Sequence, residues 1–297
     1  MSGGPQSDLN DAVAVYYDTT LELYEGMWGE HVHHGYWDPG ESPAAHGADR
    51  HAACDRTVRE LAAFAGVRPG SRVLDVGCGI GGPAIHLARD LDCVVEGITL
   101  SAQQVARAGQ KAAAAGVADR ARFRQLDMLA NDFAAETFDA VWALESLMHI
   151  PDRPAFFAEA MRLLRPGGVL AVATWCVRDG RLDPAEERLH EQVLRHQVMP
   201  PLQSIEEHEG MCRAAGFDDV AVVDWSAAVA NSWDPMFALV APPEGGRTFI
   251  RDIARDKGVE VLGFFYAGPL MKSGFDTGVI TYGALRAVRP GSVDPAP

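Results

Sequence analysis

Two groups of residues carry the chemistry this sequence can do. In Val73–Gly82, VLDVGCGIGG, glycines at 77, 79 and 82 follow an apolar run with G-x-G-x-x-G spacing. Glycine permits a tight strand-to-helix turn and close backbone approach by a ligand, and Pro83 suits the first turn of the next helix. A pyrophosphate or an amino-acid moiety fits such a turn. Asp75 stands two residues before Gly77, where a carboxylate repels a pyrophosphate but can meet an ammonium directly or through water. S-adenosylmethionine (SAM) carries an ammonium; NAD does not. Asp127, in RQLDML, can place a carboxylate or an adjacent backbone N–H at an adenine edge, with Met128 as apolar neighbour. An NAD-dependent oxidoreductase remains the competing reading, because Glu96 lies near where an acid would hold the ribose of NAD. Strand-end or turn roles are the plainer alternatives for Asp75 and Asp127.

The second group is Glu145 and His149, four apart in ALESLMHIPD. A carboxylate is useful beside a sulfonium or a carbocation, and imidazole is the usual base near neutral pH. His149 could equally be a loop histidine anchoring HIPD to the backbone. Near the start, Tyr16, Tyr17, Tyr24, Trp28, Tyr36 and Trp37 crowd into 22 residues. That density on an open surface would be unusual, so the segment is expected to close over a ligand or to dock on the sheet or on another subunit. His31, His33 and His34 imitate metal-ligand spacing, but neighbouring strand residues point opposite ways and no acid or cysteine cluster completes a set. No metal is expected.

These residues need a scaffold, and the pattern around them supplies one. From Arg72 to Trp175, apolar runs of strand length alternate with amphipathic helices, which predicts βαβ units and a mainly parallel sheet. RVLDV, CVVEGI, ARFRQL, FDAVWAL and VLAVATW read as the first five strands, VAVVDW as the sixth and GVITYGALRAV as the seventh. Ser101 is a predicted N-cap, and Ser204 with Glu207 a predicted capping box. The expected architecture is α/β: a Rossmann-like seven-stranded sheet, mostly parallel with an antiparallel last strand, plus a helical N-terminal lid and a helical cap insert. The predicted boundaries are 1–54 for the lid segment, 55–176 for the core, 177–289 for cap helices and the last two strands, and 290–297 for a disordered tail. Ligands in such sheets bind beyond the carboxyl ends of the strands.

Composition narrows the function classes. At 297 residues, with 47% hydrophobic and 23% charged content, the chain is ordinary for a globular protein. A net charge of −15 argues against a nucleic-acid partner, which needs a clustered basic face. No apolar run reaches the ~18 residues of a membrane span, and the start lacks a basic region followed by an apolar core. No membrane insertion and a cytoplasmic location are expected. Five scattered cysteines, never in C-x-x-C spacing, indicate neither a disulfide framework nor zinc.

VLDVGCGIGG, GITLSAQQ, LDML, ALESLMHIPD and LRPGGVLAVATW resemble the successive motifs of class I SAM-dependent methyltransferases. WGEHVHHGYWDPGES, ATWC, DWS and VITY narrow the resemblance to the gamma-tocopherol methyltransferase-like group. Cyclopropane fatty acid synthases, sugar O-methyltransferases and prenyl diphosphate C-methyltransferases are its cousins. The resemblance implies that Asp75, Gly77 and Gly79 hold the methionine end of SAM. Thr99 and Gln104 would hold the ribose, Asp127 and Met128 would flank the adenine, and Glu145 would lie near the sulfonium. Cys78, Leu100 and Leu144 complete the expected cofactor set. Met148 and Thr174 stand where sugar methyltransferases carry a histidine and an acid, which favours an apolar pocket. The expected activity is methyl transfer to a small lipophilic acceptor, aromatic, indole or prenylated, with carbon slightly favoured over oxygen or nitrogen. Glu145 and His149 are the expected catalytic pair. The expected substrate and lid residues are Tyr16, Tyr17, Trp28, His33, Tyr36, Trp175, Trp225 and Trp233, joined in the cap by Phe237, Phe264, Phe265 and Tyr266. A homo-oligomer through the N-terminal segment, and a non-catalytic scaffold binding the same nucleoside, remain open.

Overall fold

A computed structural model describes residues 5–38, 41, 50–233, 255 and 262–291. Seven strands form one sheet in the order β3-β2-β1-β4-β5-β7-β6. They are β1 Arg72–Val76, β2 Val94–Thr99, β3 Ala121–Gln125, β4 Phe138–Leu144, β5 Leu164–Val177, β6 Asp218–Asp224 and β7 Ile280–Val288. β1 to β5 pair in parallel, and β7 runs antiparallel to both of its neighbours, β5 and β6. The expected boundaries hold for β1 and β4. β5 begins five residues early, because Leu164 pairs with Phe138 ahead of a register shift. The predicted tail, 290–297, lies mostly outside the described residues.

A parallel sheet is covered on both faces, so its strands read as nearly continuous apolar runs. On β4, Trp142 and Leu144 face one core while Val141 and Ala143 face the other. Helices α2 (Arg50–Ala65) and α3 (Gly82–Asp90) close the first face through Val58, Leu61, Ile85 and Leu87. Helices α5 (Arg153–Leu163) and α7 (Ile205–Ala214) close the second through Phe156, Phe157 and Cys212. The predicted caps form: the Ser101 hydroxyl accepts from the Gln104 N–H at the start of α4 (Ala102–Ala114), and Ser204 with Glu207 makes a reciprocal box on α7. α6 (Pro184–Gln197) starts with a further box, Asp183 with Glu186.

The chain leaves β1 towards β2 and β3, then returns to the other side of β1 with β4 and β5. A crevice opens where strand order reverses, beyond the ends of β1 and β4. Helix α1 (Pro5–Trp28) lies across this end of the sheet. The Asn10 amide donates to Asp127 at 2.7 Å, the Ser101 hydroxyl donates to Asp18, and Glu25 meets Arg107 at 2.9 Å and Lys111 at 3.0 Å. After α1 a strap, residues 29–38, runs without sheet pairing back into the structure. Among the described residues, no helix is long and apolar enough to cross a membrane.

Candidate active site

The glycine turn forms the floor of the crevice. Backbone N–H groups of Gly77 and Cys78 both donate to the Ile98 carbonyl, at 2.8 and 3.0 Å, which ties the turn to the end of β2. Gly77 has φ 73°, and a Cβ there would run into the Ser146 side chain, because the ends of β1 and β4 approach closely. Gly79 has φ 53° but no protein atom within 4 Å of an added Cβ. Its side-chain space is the cleft itself.

The cleft holds about 980 Å³ of space, counted to its open mouth. Of the residues expected from the sequence, Gly77, Cys78, Gly79, Thr99, Leu100, Gln104, Asp127, Met128, Leu144, Glu145, His149, Tyr17 and His33 all line it. α1 contributes Asn10, Val13, Ala14 and Tyr17, spaced i, i+3, i+4, i+7 along a single stripe of the helix. Thr99 donates to the Gln104 amide oxygen at 2.6 Å, so the two expected ribose partners are already linked.

Other expectations are corrected. Asp75 does not line the cleft: it sits 1% exposed behind the turn, with Oδ2 lacking any hydrogen-bond partner, and burial pushes its carboxyl up to about 7. A buried carboxylate oxygen left unpaired there fits an ammonium reached through water rather than by direct contact. Tyr16 is turned away, bonding Tyr24 and Gln197, each at 3.1 Å. Tyr36 stacks on Trp225 and carries Arg56 over its ring, and Trp225 is buried against Phe64. Trp175 is buried on β5 and points its indole N–H at His34, 3.4 Å away. These four brace the walls without lining the cleft. Tyr266 is 62% exposed, lies against the His196 ring and is not among the described residues that line the cleft. The side chains of Trp28, Trp233, Phe264 and Phe265, and all of Phe237, lie outside the described residues. Glu96 is absent from the cleft wall and faces Arg124 at 4.0 Å, so it holds no ribose.

Two acid–base groups meet at the inner end. Glu145 caps β4 in the left-handed region, φ 52°, a conformation that costs a non-glycine residue about 1–3 kcal/mol. Its surroundings hold it there. The Glu145 N–H donates to Ala173 at 2.8 Å, and its carboxylate accepts from the His34 N–H at 2.7 Å and from the Tyr282 hydroxyl at 2.9 Å. The His34 ring Nδ1 lies 2.9 and 3.0 Å from the two carboxylate oxygens. Burial alone would raise this carboxyl, but the His34 charge and hydrogen bonds outweigh it and keep Glu145 below the usual range, hence ionised. His149 sits in a 3-10 turn, 147–149, with Nε2 2.9 Å from the Tyr17 hydroxyl. Burial pushes His149 down to about 4, against the opposing Val198 backbone, and pushes the Tyr17 phenol far up. At neutral pH the pair is therefore a protonated phenol beside a neutral imidazole.

Sequence reasoning passed over three contributors. His34, Tyr282 and Asn10 lie 111, 137 and 117 positions from the residues they bond. His34 had a signal in its place among three closely spaced histidines, and Tyr282 in its place at the end of VITY; Asn10 had none. Those histidines bond to one another, to Asp55 and to Glu145, and among the described residues no three candidate ligands gather around a metal position.

Comparison with known proteins agrees with this geometry. Residues 73–168 match a family described as a methyltransferase domain. The chain is 32% identical over 293 residues to the chloroplastic tocopherol O-methyltransferase of Arabidopsis thaliana, covering 95% of this chain and 83% of that one. Its fold matches the [4+2]-cyclase SpnF with a TM-score of 0.80 and 28% identity, over 95% of this chain and 97% of that one. It also matches a geranyl diphosphate methyltransferase in complex with SAM, with a TM-score of 0.69 and 25% identity, over 87% and 98% of the two chains. The open space at Gly79, the unpaired Asp75 oxygen and the linked Thr99–Gln104 pair fit SAM. This chain is thus a member of the class I methyltransferases, in the tocopherol methyltransferase-like group, with SAM as its cofactor.

Proposed function

We propose that the protein methylates a small, uncharged, lipophilic phenol, such as a prenylated aromatic, at a ring carbon. The observation that carries this reading is the Tyr17–His149 pair, a protonated phenol 2.9 Å from a neutral imidazole at the inner end of the cleft. Among the described residues that line the cleft there is no lysine or arginine, so a diphosphate or sugar phosphate finds no counter-charge. Val13, Val32, Leu126, Leu144 and Ile150 give the wall its apolar character.

SAM, when bound, supplies an electrophilic methyl group on a sulfonium. The chain's own residues do the rest. Gly77 to Gly79, Thr99, Gln104, Asp127 and Met128 hold the cofactor, and Glu145 places a fixed negative charge where cationic character gathers. The Glu145 carboxylate already accepts from the His34 N–H and the Tyr282 hydroxyl, which leaves the base role to His149. His149 accepts the acceptor's phenolic proton through the Tyr17 hydroxyl, which passes its own proton to Nε2 and takes the acceptor's. The resulting phenolate raises electron density on the ring carbons. The carbon that gains the methyl loses its own hydrogen as a proton, the proton held by His149 returns through Tyr17 to the oxygen, and one proton in all is released with the products. α1 and the strap cover the site and exclude water.

SpnF shows that the fold alone does not decide the reaction, since its name is that of a cyclase. The test is an assay with methyl-labelled SAM against γ-tocopherol, geranyl diphosphate and a sugar alcohol, with the product read by NMR. A carbon-bound methyl on the prenylated phenol is expected. An oxygen-bound methyl would move the acceptor atom, and turnover of geranyl diphosphate in preference to the phenol would overturn the reading.

A further inference from the structure

The strap carries two buried histidines that neither the cofactor nor the base uses. His33 Nδ1 lies 2.9 Å from the His34 carbonyl, and His33 Nε2 lies 2.9 Å from His31 Nδ1. His31 Nε2 then lies 2.9 Å from Asp55 Oδ1 on α2, and that same oxygen meets His86 Nδ1 on α3 at 3.1 Å. From the His34 carbonyl to Asp55, both ends of the run are acceptors. Three hydrogen bonds therefore need three protons on four ring nitrogens, and two neutral imidazoles bring only two. Without the third, two lone pairs would face each other at 2.9 Å.

The counter-charge is in place. Burial would raise the Asp55 carboxyl, but His31 and His86 hold it far below the usual carboxylate range. Burial and the neighbouring His31 charge push His33 down to about 3, which makes it the neutral member of the pair. Other charged groups are close but engaged: Arg89 pairs with Asp90 at 2.7 Å, and Lys111 pairs with Glu25 at 3.0 Å. Glu30 shares the outer cavity with these groups, and Glu145 and His34 face His33 from within. A second, independent observation lies at Gly82, the first residue of α3. A Cβ there would come within 2.5 Å of the Glu30 carbonyl and 2.7 Å of His31 Nδ1, so the strap is seated directly on the first turn of α3.

We propose that His31 and Asp55 form a charged clamp: positioning residues that fix the strap on α2 and α3 and so set where His34 delivers its N–H and ring nitrogen to Glu145. The clamp rests on the reading of Glu145 as the working charge of methyl transfer. Asp55 ties together three segments, the strap, α2 and the helix that starts at the glycine turn. Cofactor floor and strap thereby share one ionic joint.

The test uses the full chain labelled with 15N-histidine, with S-adenosylhomocysteine added. Long-range proton–nitrogen spectra at pH 7 count ring protons. Three shared by His31 and His33 are expected in the parent. Two are expected in D55N, together with a displaced His34 Nδ1 resonance. Two neutral rings in the parent would overturn the clamp, as would an unchanged His34 resonance in D55N. Should D55N fail to fold, H31Q, which keeps an amide donor for Asp55 but loses the cation, is expected to displace the His34 resonance in the same way; an unchanged resonance there overturns the proposal. With γ-tocopherol as acceptor, D55N is expected to lower kcat by about tenfold, as for a small misplacement of a working group. KM for SAM should stay within about twofold, and D55E should recover part of the rate. A parent that turns over no lipophilic phenol sinks the substrate reading alone, because the ring-proton count still decides the clamp.

Discussion

Beneath the cleft, the turn 76–82 is fixed by backbone: two N–H groups on the Ile98 carbonyl, a Ser146 hydroxyl on the Val76 carbonyl, and glycines where other residues would collide or strain. Above it, the strap has backbone bonds of its own at Tyr36 and Trp37, but its contacts and those of α1 around the chemical groups run through titratable side chains: His34 on Glu145, Tyr17 on His149, His31 on Asp55 and Glu25 on Arg107. A backbone floor keeps its shape whatever the protonation state. The roof beside the chemical groups depends on particular protons staying in particular places. The same protein therefore has a cofactor site set by chain geometry and a chemical site set by charge, and each can be disturbed without the other.

The sharpest separation is expected from E145Q. It keeps the shape of the side chain but removes the charge, so turnover should fall by ~10²–10⁴, the range of an acid–base or charge contribution, while SAM affinity changes little. Parent-like turnover at saturating SAM would break the division between floor and roof. G79V does the reverse: the cost of a positive-φ valine, ~1–3 kcal/mol, adds to a side chain placed in the cofactor's space. SAM affinity measured by titration calorimetry should drop by one to two orders of magnitude or more, with an unaltered circular dichroism spectrum.

Y17F is a smaller disturbance, removing one hydroxyl from the roof. kcat should fall by roughly tenfold or more while SAM affinity holds. In the parent, His149 works as the neutral ring and its conjugate acid lies at about 4, so kcat measured at saturating SAM should be flat from pH 7 to about 5 and fall as pH approaches 4. A rate that falls between pH 7 and 6 would assign the base elsewhere. Asp75 should show the one titration of the floor. Its carboxyl sits near 7 and must ionise to serve an ammonium, so SAM affinity should strengthen from pH 6 to 7.5 in the parent and lose that dependence in D75N. The smallest effect belongs to E25Q, which breaks partly exposed ion pairs to Arg107 and Lys111 and should cost under about 1 kcal/mol in denaturant unfolding.

The same contrast explains what the sequence disclosed. The turn's own conformation is set by its glycines, so VLDVGCGIGG disclosed β1, the turn and the position of Gly79, although the Ile98 and Ser146 contacts that brace it come from β2 and the end of β4. The caps at Ser101 and Ser204 were legible because their partners are close in the chain. Roof contacts join residues from 24 to 132 positions apart on separate elements, and a spacing rule carries no trace of them. Aromatic crowding from Tyr16 to Trp37 located the roof but not its inner face: Tyr17 lines the cleft, while Tyr16 and Tyr36 do not. Trp175 and Trp225 were drawn towards the substrate by their size, but each is spent as packing for His34 and Tyr36. Asp75 was placed at the correct turn, and of the two contacts the sequence left open, direct or through water, its buried position favours the second.

β7 arrives after residue 279 and must thread between β5 and β6, pairing from Val169–Val288 to Val177–Ile280 on one side. It also brings Tyr282 to Glu145. During synthesis, at roughly 5–20 residues per second, the first five strands are free of the ribosome well before this segment appears. Until it does, β5 and β6 present open edges and the Glu145 carboxylate lacks one of its donors. The nascent protein thus passes through an interval in which its sheet is unfinished and its edges are exposed to other chains. A slow stretch of translation ahead of β7, or a chaperone that shields β5, would change the yield of folded enzyme while leaving every contact of the finished molecule as it is.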